Sequence, residues 1–169
     1  MKHFFSNTYM AKPAAIIFLL IIFHIGLSPK MLQAQDSKKT RFLFLLDCSG
    51  SMDNKMNGQQ RMAVAQRILN RMVDSLKSIP NVELAFRTYG LHGSRTEEDC
   101  KDTKLEVGFY KNNSAAIKEK VAQSKPNGTT PIAYSLTQCA NDFPNANAHN
   151  FIILITDGLE ECKGDPCAV

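Results

Sequence analysis

The sequence predicts an α/β domain with a doubly wound, mainly parallel sheet flanked by helices. Three observations point there. RFLFLLD (residues 41–47) and FIILITDG (residues 151–158) are both apolar runs that close on an aspartate. Continuous apolar runs of this kind suit strands buried on both faces of a parallel sheet. Between them lie segments with apolar residues at helical spacing, and strands alternating with helices build a parallel sheet through right-handed crossovers.

Taken in order, RFLFLLD is the first strand. In GQQRMAVAQRILNRMVDSLKSIP, apolar residues at Met62, Ala65, Leu69, Met72, Val73 and Leu76 follow a helical period that Pro80 stops, with Met62 and Met72 as helix core. NVELAFRTYG is a second strand ending at Gly90. The segment LHGSRTEEDCKD is a polar loop in which His92 is a surface residue without a partner, and KLEVGFY is a short strand. SAAIKEKVAQSK is a short helix with Ser114 as its N-cap. In the loop PNGTTP, Pro131 suits the first position of the helix PIAYSLTQCANDF. NANAHN is a turn, with His149 at the surface, before the last strand. A complete sheet of this type carries one or two further strand–helix units, so the domain is expected to be truncated at its C-terminus.

Residues 1–34 read as a secretory signal peptide. Lys2 and Lys12 precede the apolar stretch Ala14–Leu27, no acid occurs before Asp36, and Leu32-Gln33-Ala34 offers a cleavage site. The apolar stretch is shorter than the roughly 20 residues of a membrane span. Residues 35–40 are a polar linker and 41–169 the domain. Three of the 20 basic residues lie in the leader against none of the 16 acidic ones, so the mature chain is nearly neutral and nucleic acid is excluded as a partner. Localisation is expected to be secreted, periplasmic or at the cell surface.

Export permits disulfides. Cys48 and Cys139 fall in apolar settings and read as core residues, whereas Cys100, Cys162 and Cys167 sit in polar loops. One bridge among these three is expected, its pairing open. An odd count leaves at least one thiol free or paired with another chain. A zinc site is the weaker reading, since no histidine stands at ligand spacing.

In open α/β sheets the ligand crevice lies at the carboxyl ends of the strands. If the strands ending in Asp47 and Asp157 are neighbours, their two carboxylates meet at one rim. Ser49 and Ser51 leave the first strand with alternate side chains turned to the same spot, and Thr129 or Thr130 brings a third hydroxyl. Two acids and three alcohols form a hard-cation site suited to Mg2+, which prefers octahedral oxygen and takes one or two carboxylates. Neutral hydroxyls leave the ion electrophilic toward a further ligand, such as an incoming carboxylate. Glu160 and Glu161 read as a solvated loop rather than an acidic rim.

The combination Asp47-Cys48-Ser49-Gly50-Ser51, GTTPIAYSL and ILITDG resembles the von Willebrand factor type A domain and its metal-ion-dependent adhesion site, in the form found in exported bacterial members. The resemblance covers residues 41–169. It implies a metal set of Asp47, Ser49, Ser51, Thr130 and Asp157, with Thr129 the alternative threonine. It further implies that the hydroxyls touch the ion while the aspartates often act through water.

The expected function is an exported binding module that holds Mg2+, with Mn2+ or Ca2+ as substitutes, and captures a protein partner through that partner's Asp or Glu. The alternative is a scaffolding domain with a vestigial or stabilising metal site. A metal-dependent hydrolase is less well supported. Ser49 stands where a haloacid dehalogenase type phosphatase needs its second acid, and no G-x-S-x-G follows a strand.

Overall fold

The computed structural model describes residues 38–94, 96, 98–144 and 147–169. The expected leader and its cleavage site lie outside these residues. The described chain is an α/β fold whose four-stranded sheet is flanked by three helices.

Strand β1 (Lys39–Asp47) pairs in parallel with β2 (Val82–Tyr89) on one side and β4 (Ala148–Ile155) on the other. Strand β3 (Thr103–Val107) lies antiparallel beside β2, giving the order β3-β2-β1-β4. The sheet is thus mixed but mainly parallel. A two-residue ribbon, Lys55–Met56 against Gln59–Gln60, projects between β1 and the first helix.

Helix α1 (Arg61–Leu76) buries Met62, Ala65, Leu69 and Val73, one stripe at the helical period. Together with α2 (Ser114–Gln123) it covers Phe44 and Leu46 on one face of β1 and Cys48 just beyond the strand. Helix α3 (Ile132–Asp142) packs Ile132 and Cys139 against Leu43 and Leu45 on the opposite face. Residues 43–46 are wholly inaccessible to solvent because they have helices on both sides. Met72 lies at the edge of the first cluster.

Charged groups also fasten the layers. Arg87 on β2 donates through Nε to Asp142 Oδ2 at 2.7 Å and through Nη2 to Asp142 Oδ1 at 2.8 Å, a bidentate pair between sheet and α3. Both side chains are less than one-tenth exposed. Arg41 donates to Glu83 at 2.8 Å across β1 and β2.

Several sequence expectations change. Asn113, not Ser114, is the N-cap of α2, and its side-chain amide donates to Leu84 O and Gly108 O instead of capping. Pro131 stands one residue before α3. Part of the NANAHN stretch is already strand, because β4 begins at Ala148 to match Lys39. His92 is half-exposed but has a partner, Glu106 Oε1, at 2.6 Å. Strand β4 is not buried on both faces. It is the sheet edge among the described residues, and Phe151 is 50% exposed.

Candidate metal centre

Because β1 and β4 are parallel neighbours in the register Leu46 to Ile155, their carboxyl ends open side by side. Asp47 ends β1 with no exposed surface, and Asp157 lies two residues beyond β4. The Asp47 carboxylate organises the exit of its own strand. Its Oδ1 accepts from Ser49 N at 2.7 Å and its Oδ2 from Thr156 Oγ1 at 2.7 Å. The first bond turns the chain as an Asx turn does, and the second ties β1 to the loop after β4.

A mesh of backbone bonds holds the third loop in place. Asn127 N donates to Cys48 O, Gly50 N to Gly128 O, and Gly128 N to Gly90 O, all within 2.9 Å. Gly90 is required at this crossing. Its φ is +65°, and a Cβ there would lie 2.5 Å from Thr129 O. The threonine loop is thereby pressed against the loop that carries the serines.

Around this frame the hydroxyls converge. Ser49 Oγ and Ser51 Oγ are 2.9 Å apart, and Ser51 Oγ donates to Asp157 Oδ1 at 2.9 Å. Gly158 lies beside them. A Cβ built there would lie 3.7 Å from Ser51 Oγ, 3.8 Å from Thr130 Cγ2 and 4.0 Å from Asp47 Oδ2. The two adjacent threonines part ways. Thr129 Oγ1 donates to Asp99 O at 2.9 Å, whereas Thr130, 1% exposed, turns its methyl toward Gly158 and its hydroxyl to Glu161. All five residues singled out in the sequence thus meet at one rim, while Thr129 turns away.

Three further residues join them. Arg61, at the start of α1, forms an ion pair with Asp157 Oδ2. Thr156 supplies the hydroxyl on Asp47. Glu161 is not simply solvated, since its Oε2 accepts from Thr130 Oγ1 at 2.9 Å and its N–H donates to Thr130 O. Glu160 accepts from Ala133 N at the start of α3. The Cys100–Cys162 disulfide joins the loop before β3 to this acidic loop. It is one of the bridges the sequence left open. Cys48 and Cys139 are buried free thiols, and Cys167 is free and exposed.

The donors fit a hard divalent cation. They are oxygens only, with a neutral majority, and Arg61 already places a positive group on Asp157. Among the described residues no group of three or more His, Cys, Asp or Glu is placed to hold a metal ion. Burial, and after it the Asp47 carboxylate, push both the Tyr89 phenol and the Cys48 thiol well above their ordinary ranges, so both stay protonated beneath the site. Beside Arg61 and Asp157 runs a cavity of about 270 Å³ lined by Met52, Met56, Val64, Ile68 and Ile155.

A family model described as the von Willebrand factor type A domain matches residues 42–160. The chain belongs to this family. The match runs from the start of the oily run to the acidic loop, and of the rim residues only Glu161 lies just beyond it.

The VWA chain is 29% identical to Uncharacterized protein YwmD of Bacillus subtilis (strain 168) over 161 residues, covering 92% of this chain and 70% of that protein. Among solved structures, the vWF domain of the type V pili tip protein Mfa5 from Porphyromonas gingivalis is similar at a TM-score of 0.53 and 22% identity, covering 73% of this chain and 39% of that one. The pilus adhesin SpaC from Lactobacillus rhamnosus GG gives a TM-score of 0.60 at 20% identity, covering 75% and 16%. At such identities the likeness shows the VWA fold alone. No helix among the described residues is long and apolar enough to cross a membrane.

Proposed function

We propose that this VWA domain is an exported binding module that holds one divalent cation and captures a protein partner through an Asp or Glu side chain. The carrying observation is the chain of oxygens Ser49 Oγ, Ser51 Oγ and Asp157 Oδ1, each 2.9 Å from the next, with Asp47 and Thr130 beside Ser51 around Gly158. Ser49, Ser51 and Thr130 would supply neutral oxygens to the ion. Asp47 and Asp157 would balance its charge, partly through water. Mg2+ is the favoured ion, and Mn2+ or Ca2+ could replace it. When bound, the cation supplies an electrophilic position for a partner carboxylate. No turnover is assigned to the site. The leader-like N-terminus and the likeness to pilus proteins both support export to the cell surface or beyond.

The test is a peptide array displaying Asp, Glu, Asn and Gln in matched sequences, probed with the full chain in Mg2+ and in EDTA. Binding to acidic peptides that needs Mg2+ and disappears in Ser51→Ala supports the proposal. Binding that EDTA leaves unchanged contradicts it.

A second reading is a site that only stabilises the domain. It is favoured by Asp47, both of whose oxygens already accept hydrogen bonds from the protein. It predicts a Mg2+-dependent rise in melting temperature with no acidic peptide bound.

A further inference from the structure

Arg61 occupies an unfavourable place for a cation. It is the first residue of α1, where the helix dipole presents partial positive charge, and arginine is better accommodated at the other end. Its backbone N–H is satisfied by Asn54 O at 2.9 Å. Its guanidinium turns back over the rim, pairs with Asp157 Oδ2 and comes within 3.5 Å of Ser51 O. The other Asp157 oxygen takes the Ser51 hydroxyl. Asp157 is 12% exposed and Arg61 32%. One cationic side chain thus neutralises the carboxylate that the proposed metal would use.

We infer that Arg61 is a built-in counter-ion, which a divalent cation must displace from Asp157 before the site is loaded. The inference rests on the metal-binding reading above and goes beyond it by naming the residue that sets the site's affinity. Arginine has donors only and cannot be deprotonated in a protein, so it can neither ligate the ion nor relieve the repulsion by losing its proton. Its departure costs little, because a third of the side chain is already in water and an ion pair so exposed is weak. Without a metal, the pair spares Asp157 from standing near Asp47 with no compensating charge. Once a cation is present, Arg61 is free at the rim, where a partner's acidic side chain would arrive.

Calorimetric titration with Mn2+ alone tests this on the full-length wild-type chain and on Arg61→Gln, Arg61→Lys and Ser51→Ala. Arg61→Gln is expected to bind Mn2+ about two- to fivefold more tightly, the scale of losing one partly exposed competing ion pair. Arg61→Lys should stay near wild type, because it keeps the competing charge. Melting without metal should fall in Arg61→Gln, and saturating Mn2+ should bring it level with the loaded wild type. If wild type binds, Ser51→Ala does not, and a folded Arg61→Gln binds no more tightly than wild type, the counter-ion role is overturned while the metal site stands. If neither wild type nor Arg61→Gln binds Mn2+, both readings fall.

Discussion

Ser51 Oγ donates a 2.9 Å hydrogen bond to Asp157 Oδ1, joining the loop after β1 to the loop after β4 across 106 residues of sequence. The bond exists because β1 and β4 are parallel neighbours in a register that brings both loops out at one edge. Ser51→Ala removes one proposed metal oxygen and leaves every carboxylate in place. Its melting temperature without metal should fall only modestly, since the two hydrogen bonds lost, to Asp157 and to Ser49, cost about 1 kcal/mol each. The rise in melting temperature that Mn2+ gives the wild type should vanish, as read by differential scanning fluorimetry.

The Gly90 crossing is a separate weak point. Gly90→Ala would put a Cβ 2.5 Å from Thr129 O in a left-handed conformation. Urea unfolding should show a loss of about 2 kcal/mol or more, combining backbone strain with the clash. Metal affinity should fall too, because the same shift pushes Thr130 away.

The buried pair of Arg87 and Asp142 should matter more when broken than when replaced. Asp142→Ala strands a guanidinium that is 8% exposed, and chemical denaturation should register a loss of about 3–5 kcal/mol. The double variant Arg87→Met/Asp142→Leu should recover most of it.

The Cys100–Cys162 bridge closes a loop with a sequence separation of 62 residues. Replacing both cysteines by serine should cost about 2–4 kcal/mol, measured by urea unfolding. Glu161 adjoins this bridge and accepts from Thr130, so Mn2+ affinity should shift in the same variant.

The thiols give a pH signature. Burial pushes Cys139 up to about 12 from 9.0 and raises Cys48 further. A group whose pKa is higher in the folded state holds its proton there after the unfolded chain has lost it. Its contribution to stability is therefore complete below about pH 9 and is lost progressively as pH rises toward about 12. Iodoacetamide at pH 8 should label one thiol, Cys167, in the native chain, and all three free thiols only after unfolding.

Much of this architecture is legible in the sequence because burial and strand ends leave strong marks. Phe42–Leu46 and Phe151–Ile155 are apolar enough to show where the strands lie, and the aspartates after them show where the strands open. The choice between Thr129 and Thr130 is not legible, since adjacent hydroxyls differ only in which way the loop turns them. Thr129 donates its hydroxyl to Asp99 O, thirty residues away, and Thr130 donates its own to Glu161. Glu161 looks like a solvated residue until the disulfide loop folds back over Thr130. The cysteine pairing is likewise a property of the fold, because connectivity is not encoded by spacing. Arg61 did leave a trace that could have been read, a cation at the first position of a helix. Strand β4 misled because apolar composition cannot tell an edge strand from a central one.

The central claim is that Asp47, Ser49, Ser51, Thr130 and Asp157 hold a single cation. Electron paramagnetic resonance of Mn2+ with the full chain and with Asp47→Ala measures it most directly, with circular dichroism to check that the variant folds. The account predicts one bound Mn2+ per wild-type chain, released by EDTA, and none in the folded variant. A wild-type chain that leaves all Mn2+ free, or a variant that binds it equally well, would contradict the account.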